Sequence, residues 1–345
     1  NFGQKSLTYT APTGFVSLQQ DNMPETAKGI SGFTWIKDRD NALNHNSYDS
    51  SNGVFNRLVP NANSAILNTQ GGVSKFLKGG IVVGDTSNVN NSGASMVSWN
   101  WVANKGTTAS NTDGSISSTV QANTTAGFSI VQYTGTGSAA TVGHGLSKKI
   151  DWMIIKELGN SNGWIVSHKG LTSQATYSLN LSNTNAPYSD AGTYYWNNTA
   201  PTSSVFSIAT DTAVNRSSGN YVAYCWHGVD GFSKFGKYVG NSNADGTFVY
   251  TGFKPSFVLI KSTSTQYWMI QDSARWKFNP TDKPLFPSST DAESGLGAQN
   301  IDLVSNGFKC RGTGATQNSS SHTYIYMVFA EHPFLGDGTS PVTAR

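Results

Sequence analysis

Charge is scarce in this chain. Only 12% of its 345 residues are Asp, Glu, Lys or Arg, and 23 basic against 20 acidic side chains leave a formal net charge of +3. No dense basic face follows from that balance, so nucleic acid, whose phosphates are bound by clustered Lys and Arg, is not an expected partner. Cysteine is scarcer still. Cys225 and Cys310 are the whole supply, too few for a disulfide framework, and each sits in an apolar, strand-like context in a different part of the chain. No apolar run approaches the ~18 residues of a membrane span. No charged-then-apolar secretory leader opens the sequence; it starts at Asn1 without Met, which is read as processing or as a piece of something longer. Long amphipathic helical patterns are missing too. Disorder does not account for the low charge, because 12% of residues are aromatic and 9 are Trp, ample apolar material to offset ordering entropy.

What is present is a repetition. Phe33-Thr34-Trp35-Ile36-Lys37, Trp152-Met153-Ile154-Ile155-Lys156 and Phe257-Val258-Leu259-Ile260-Lys261 are one phrase, an apolar run closed by lysine. A second phrase follows each, reading Met96-Val97-Ser98-Trp99-Asn100-Trp101, Tyr221-Val222-Ala223-Tyr224-Cys225-Trp226 and Tyr324-Ile325-Tyr326-Met327-Val328-Phe329. From the lysine to the last aromatic the separations are 64, 70 and 68 residues. Two matching phrases at similar separation indicate a triplicated unit, and about 150 residues per domain gives two or three domains for this length. Triplication suits a scaffold or binding surface better than an active site, which is usually one asymmetric constellation.

The phrases are rich in aromatic and β-branched residues, alternate in places, and are bounded by Gly, Asn and Ser, which is the signature of strands. Gly, with 36 residues, joins Ser, Thr and Asn in supplying turns. The expected fold is all-β: three related sandwich-like units in tandem, since an apolar sheet face needs a facing layer. Alternation puts Val222, Tyr224 and Trp226 on one face and Tyr221, Ala223 and Cys225 on the other, so this strand is expected to be covered on both sides. The closing lysine is expected at a strand edge, stem on the sheet and amine in water. The expected divisions are a lead-in over 1–32, unit one over 33–106, a Thr/Ser/Asn-rich connector over 107–127, unit two over 128–236, unit three over 237–334 and a tail over 335–345. A further phrase, Phe128 to Gly137 and Phe235 to Asn241, precedes units two and three only. Thr290-Asp291-Ala292-Glu293 has capping-box spacing, for at most a helical turn.

The chemical motifs are weak. Gly135-Thr136-Gly137-Ser138-Ala139-Ala140 resembles a dinucleotide fingerprint, but Thr141-Val142-Gly143-His144-Gly145 is a poor helix start, so a turn is expected and no cofactor. Asp38, Asp40 and Asn44 lack the glycine and third oxygen ligand of a calcium loop, so no metal is expected. His45, His144, His168, His227, His322 and His332 make no His-Glu-x-x-His pair. His45, Trp164 and Trp268 stand in comparable places before Asp49, His168 and Asp272; a position that accepts His or Asp is no general base in every unit. Asp and Glu are sparse, which counts against paired carboxylates for glycoside cleavage. No catalytic residue is assigned. Aromatics near polar loops remain, and Trp164, Tyr195, Trp196, Trp268 and Trp276 are the candidate ligand-binding residues, because aromatic faces beside Asn and Asp suit sugar rings. The competing reading places the tryptophans in the cores of small sandwiches.

Asn1-Phe2-Gly3-Gln4-Lys5 and Tyr9-Thr10-Ala11-Pro12-Thr13-Gly14-Phe15, with Tyr195-Trp196-Asn197, Gly231-Phe232-Ser233-Lys234-Phe235-Gly236, Asp272-Ser273-Ala274-Arg275 and Asn306-Gly307-Phe308-Lys309, resemble large tail-associated structural repeat proteins of marine, cyanophage-like bacteriophages. The likeness is to the region following a SPRY-like module, which this chain lacks, and it extends over most of residues 1–334. It implies a virion surface protein, from tail fibre, spike or capsid decoration, with a lectin-like or jelly-roll β-sandwich flavour; the expectation drawn from it is a non-enzymatic protein of the tail-fibre or spike kind, used for host attachment. The implied partners are other virion proteins, a host-surface glycan and further copies in a homo-oligomer. A capsid-decoration or tail-collar protein without a ligand, and a polysaccharide depolymerase, are the alternatives.

Overall fold

The computed structural model describes residues 32–77, 80–103, 108–189, 193–295 and 297–331. The expected lead-in through residue 31 and the expected tail lie outside them. The first unit runs through β1 (Gly32–Asp38), β2 (Asn46–Asp49), β3 (Asn56–Arg57), β4 (Leu67–Asn68), β5 (Val73–Leu77), β6 (Gly80–Val83), one helical turn α1 (Ser87–Asn90) and β7 (Met96–Val102). The second begins with β8 (Ala109–Asn111), β9 (Ser118–Asn123), β10 (Phe128–Thr134) and β11 (Ala140–Gly143). It continues with β12 (Trp152–Glu157), β13 (Ile165–His168), β14 (Tyr177–Asn180), β15 (Tyr188–Ser189), β16 (Val205–Ile208), the turn α2 (Thr212–Asn215) and β17 (Asn220–Trp226). The third holds β18 (Ser233–Val239), β19 (Phe248–Tyr250), β20 (Pro255–Ser262), β21 (Trp268–Asp272), β22 (Ile301–Val304), β23 (Gly307–Cys310) and β24 (Thr323–Ala330).

The two phrases of each unit pair antiparallel in the same register. Trp35 faces Trp99, Ile154 faces Tyr224 and Leu259 faces Met327. They form the centre of an inner sheet, ordered β2-β1-β7 in unit one, β21-β20-β24-β18 in unit three, and β15-β14-β13-β12-β17-β10-β9-β8 in unit two. A smaller layer covers the outer face of each: β5-β6, β11-β16 and β22-β23-β19. The units are therefore two-layered sandwiches, as the alternation requires. β17 shows the consequence, for Tyr221, Ala223 and Cys225 join the local core of unit two while Val222, Tyr224 and Trp226 join a different one.

That second core is common to all three units. Phe33, Trp99 and Trp101 of unit one meet Trp152, Tyr224 and Trp226 of unit two and Phe257, Trp268 and Phe329 of unit three in one cluster. Trp101 stands 6.0 Å from Trp226, 5.5 Å from Phe257 and 5.8 Å from Phe329 between ring centroids. The tandem units are thus arranged around a pseudo-threefold aromatic centre, each inner sheet facing inward.

Three local expectations change. Residues 107–127 are not simply a connector: β8 and β9 extend the sheet of unit two, Val131 facing Val120. Exposed Ser110 and Thr119, with the buried but polar Ser118 and Gln121, disguise the pattern. The boundary at 236 divides one strand, since β18 pairs along its whole length with β24 and belongs to unit three. No helical turn forms at 290–293; Glu293 instead bonds Arg39 of unit one, at 2.5 Å, and that ion pair uses the side chain a capping box needs.

Candidate functional site

The polar residues of the repeated phrases serve the seams between units. The lysines are buried, contrary to expectation. Lys37 Nζ donates to the carbonyls of Asp38 at 2.5 Å and Asn41 at 2.9 Å. Lys156 Nζ donates to Glu157, Asn160 and Asn162 in its own loop and to Asn63 of unit one at 3.2 Å. Lys261 Nζ donates to Ser262, Ser264 and, across the seam, Thr184 of unit two at 3.3 Å. The loop beyond each strand curls back over the amine, so carbonyls replace water as its acceptors. Burial pulls Lys37 and Lys156 down to about 8 and Lys261 to about 7.

The Asp-or-His position is likewise a seam contact. Asp49 accepts the Tyr224 hydroxyl of unit two at 2.6 Å, His168 Nε2 bonds the Tyr326 carbonyl of unit three at 3.1 Å, and Asp272 accepts the Trp99 indole N–H of unit one at 3.1 Å. One to two, two to three and three to one: the contacts run round the ring. Asp38 Oδ1 accepts the amides of Asp40 and Asn41, and Asp40 Oδ2 accepts the Ser95 amide. Asn44 Oδ1 accepts from Asn61. Loop closure thus engages the oxygens that a calcium ion would need. Cys225 and Cys310 are free thiols in separate local cores.

Among the candidate ligand-binding aromatics, Trp164, Trp196 and Trp268 are at most 2% exposed. Their indole N–H groups tie down loops: Trp164 to Val59 and Ala62 of unit one at 3.0 Å, Trp268 to Asn180 of unit two at 3.0 Å, and Trp196 to Tyr177 at 3.1 Å. Their faces are covered by packing, so these three are not stacking platforms, contrary to the expectation. The core reading applies because a large indole next to a polar loop gains most by covering that loop's base. Trp276 is half-buried, with its N–H on the Pro280 carbonyl at 3.0 Å and Lys283 Nζ 4.9 Å from its ring centroid.

Tyr195 is half-buried and stands in a row of rings. Tyr188 and Tyr194 lie 6.1 Å apart, Tyr194 and Tyr195 6.5 Å, and Tyr195 and buried Trp196 6.2 Å. The outer two are 52% and 48% exposed. Tyr188 sits on the edge strand β15, paired through Ser178 to the sheet of unit two. The 194–195 segment is pinned by the amides of Asp211 and Ala209, which donate to the carbonyls of Tyr194 and Tyr195 at 3.1 and 2.9 Å. Asn197 and Asn198 follow, both exposed and both at φ +49°. Apolar ring faces, phenol hydroxyls and amide side chains on an anchored edge are the chemistry that receives a sugar. Sequence reasoning missed Tyr188; its only signal was an aromatic after Pro187 in a Ser/Asn-rich stretch.

The geometry defines an all-β protein of three sandwich units about a shared aromatic core, with polar residues of its repeats on the seams and a row of tyrosines on one edge of unit two. The chain belongs to the family described as a domain of unknown function (DUF7483), which it matches over residues 18–333. That span takes in all three units, so the family's domain is the whole ring and not one repeat. No curated protein and no solved structure matched the chain.

Proposed function

We propose that this protein is a bacteriophage virion surface component, of the tail-fibre or spike kind, that attaches to a host-surface glycan through the Tyr188–Tyr194–Tyr195 row. The observation that carries the binding part is the graded exposure of these rings on a pinned edge beside Asn197 and Asn198. Recognition groups on loops held by a firm scaffold are the usual arrangement for binding. The virion part is supported by the resemblance of the repeats to tail-associated proteins.

The test is binding of host-surface polysaccharide to the full chain and to a Tyr188→Ala/Tyr194→Ala variant, together with immunolabelling of intact particles. The expected result is surface labelling and at least about a tenfold loss of affinity in the variant, since two lost stacking contacts of about 0.7 kcal/mol each amount to that factor. Unchanged glycan affinity in the variant would sink the assignment of the row. Labelling only after capsids are opened would sink host attachment.

A further inference from the structure

Units two and three each have a strand that unit one lacks among the described residues. β10 pairs antiparallel with β17, and β18 with β24, but β7 is the last strand of its sheet. β18 shows how such a strand is used. Phe235 lies 6.2 Å from Phe329 in its own unit and 6.5 and 6.4 Å from Trp152 and His168 of unit two. The next residue passes so near Gly170 that a Cβ there would come within 3.1 Å of the Gly236 carbonyl. β10 likewise reaches the unit before it, where Gln132 Nε2 donates to Asn52 Oδ1 of unit one at 2.9 Å.

By register, Phe257 and Asp272 of unit three are the counterparts of Trp152 and His168, and Ala274 that of Gly170. With Trp99, Trp101 and Phe329 they line an open groove of about 440 Å³ beside β7. The groove therefore lies where β10 and β18 run in the other two units. Its walls are mostly apolar and aromatic. The outer face of β7 is polar by contrast: Ser98 and Asn100 are exposed where β17 and β24 bury Ala223, Cys225, Tyr326 and Val328. An occupant thus has to lie along the edge and in the groove, as one extended strand does, and not over the outer face.

We propose that this groove accepts a fourth strand and that the strand is supplied by the stretch of this chain preceding β1, with Tyr9 set opposite Met96. In units two and three the tyrosine of the added strand stands 19 residues before the first phrase, Tyr133 for Trp152 and Tyr238 for Phe257; Tyr9 stands 24 before Phe33, a connection five residues longer. Thirty-one residues precede β1, enough for the same return. Tyr9-Thr10 repeats Tyr133-Thr134. Tyr133 stacks on Tyr221 and Tyr238 on Tyr324, both at 5.0 Å and both directly across the ladder. The residue facing that position in unit one is Met96, three before Trp99 as Tyr221 is three before Tyr224 and Tyr324 three before Met327. A thioether beneath a tyrosine ring is a favourable replacement for the second ring.

The test is cross-linking in the full chain. Directly opposed positions in an antiparallel pair come within disulfide reach, and both native thiols are buried. A Tyr9→Cys/Met96→Cys variant is expected to form an intrachain disulfide on mild oxidation, while Tyr9→Cys/Tyr188→Cys is not. In parallel, hydrogen exchange at amides 96–102 of the unaltered chain is expected to be slow, and to speed at least tenfold when residues 1–20 are removed. Both results are required. Failure of the disulfide, exchange unaffected by the deletion, or a cross-link only between two chains overturns the proposal, the last by giving the groove to a second copy.

Discussion

At the scale of single residues, three lysines and a histidine do work that their types do not advertise. Lys261 is buried among carbonyls. Lys261→Met keeps the apolar stem and leaves the carbonyls of Ser262, Ser264 and Thr184 without this donor. The expected cost is about 1–3 kcal/mol in urea unfolding, the range for buried acceptors losing their partner. His168 accepts the Gly170 amide at Nδ1, 2.8 Å away, and so carries its proton on Nε2, which donates to Tyr326. Burial pushes it down to about 3 from 6.5. Between those values the unfolded chain binds a proton that the folded one lacks, so the contribution of this group is full above about pH 6.5 and lost as pH falls toward 3. His144, lowered by burial to about 4, acts in the same direction. The unfolding midpoint in urea is expected to drop steadily from pH 7 to pH 4, and His168→Gln to flatten that slope while lowering stability at pH 7.

At the scale of the element, the alternating strands were legible and their surroundings were not. Tyr221-Val222-Ala223-Tyr224-Cys225-Trp226 declared a strand covered on both faces because apolar residues stand on both parities. The inner strand of unit three was readable for the same reason, and that of unit one by strict alternation, Val97, Trp99 and Trp101 buried and Ser98 and Asn100 exposed. β8 and β9 were not, since five of their nine residues are Ser, Thr or Asn and Val120 is their one buried large apolar side chain. The lysine's position was misread because a sequence shows the stem and charge of a side chain but not the loop that folds over it. Trp164 and Trp268 were ambiguous for a related reason, as an indole beside a polar loop looks alike whether it faces solvent or holds that loop. The β9–β10 turn provides a check at this scale. Gly127 has φ +66°, and a Cβ there would meet the His227 carbonyl at 2.6 Å. Gly127→Ala is expected to cost about 2 kcal/mol or more through strain and displacement of β10, measured by thermal unfolding.

For the whole molecule, the shared centre decides how the units depend on each other. Each has a local core, but Trp101, Trp226 and Phe329 belong to the common one. Trp101→Ala is expected to destabilise the entire chain by about 3–5 kcal/mol, the usual cost of removing a buried large aromatic, and not to melt unit one alone. Calorimetry is expected to show one transition in the unaltered chain; three separable transitions would contradict a common core. The triplication itself was readable from the phrases, whereas their closure on one another was not, because phrase spacing is the same for a row and for a ring.

The Arg39–Glu293 pair, small in itself, fastens the third unit to the first. A row of modules can fray from either end, each loss breaking a single joint. In a circle every member is held from two sides, so detaching any one must open two joints and lay bare the aromatic hub at the same moment. Resistance to peeling is then a property of the arrangement, present without a single disulfide between Cys225 and Cys310.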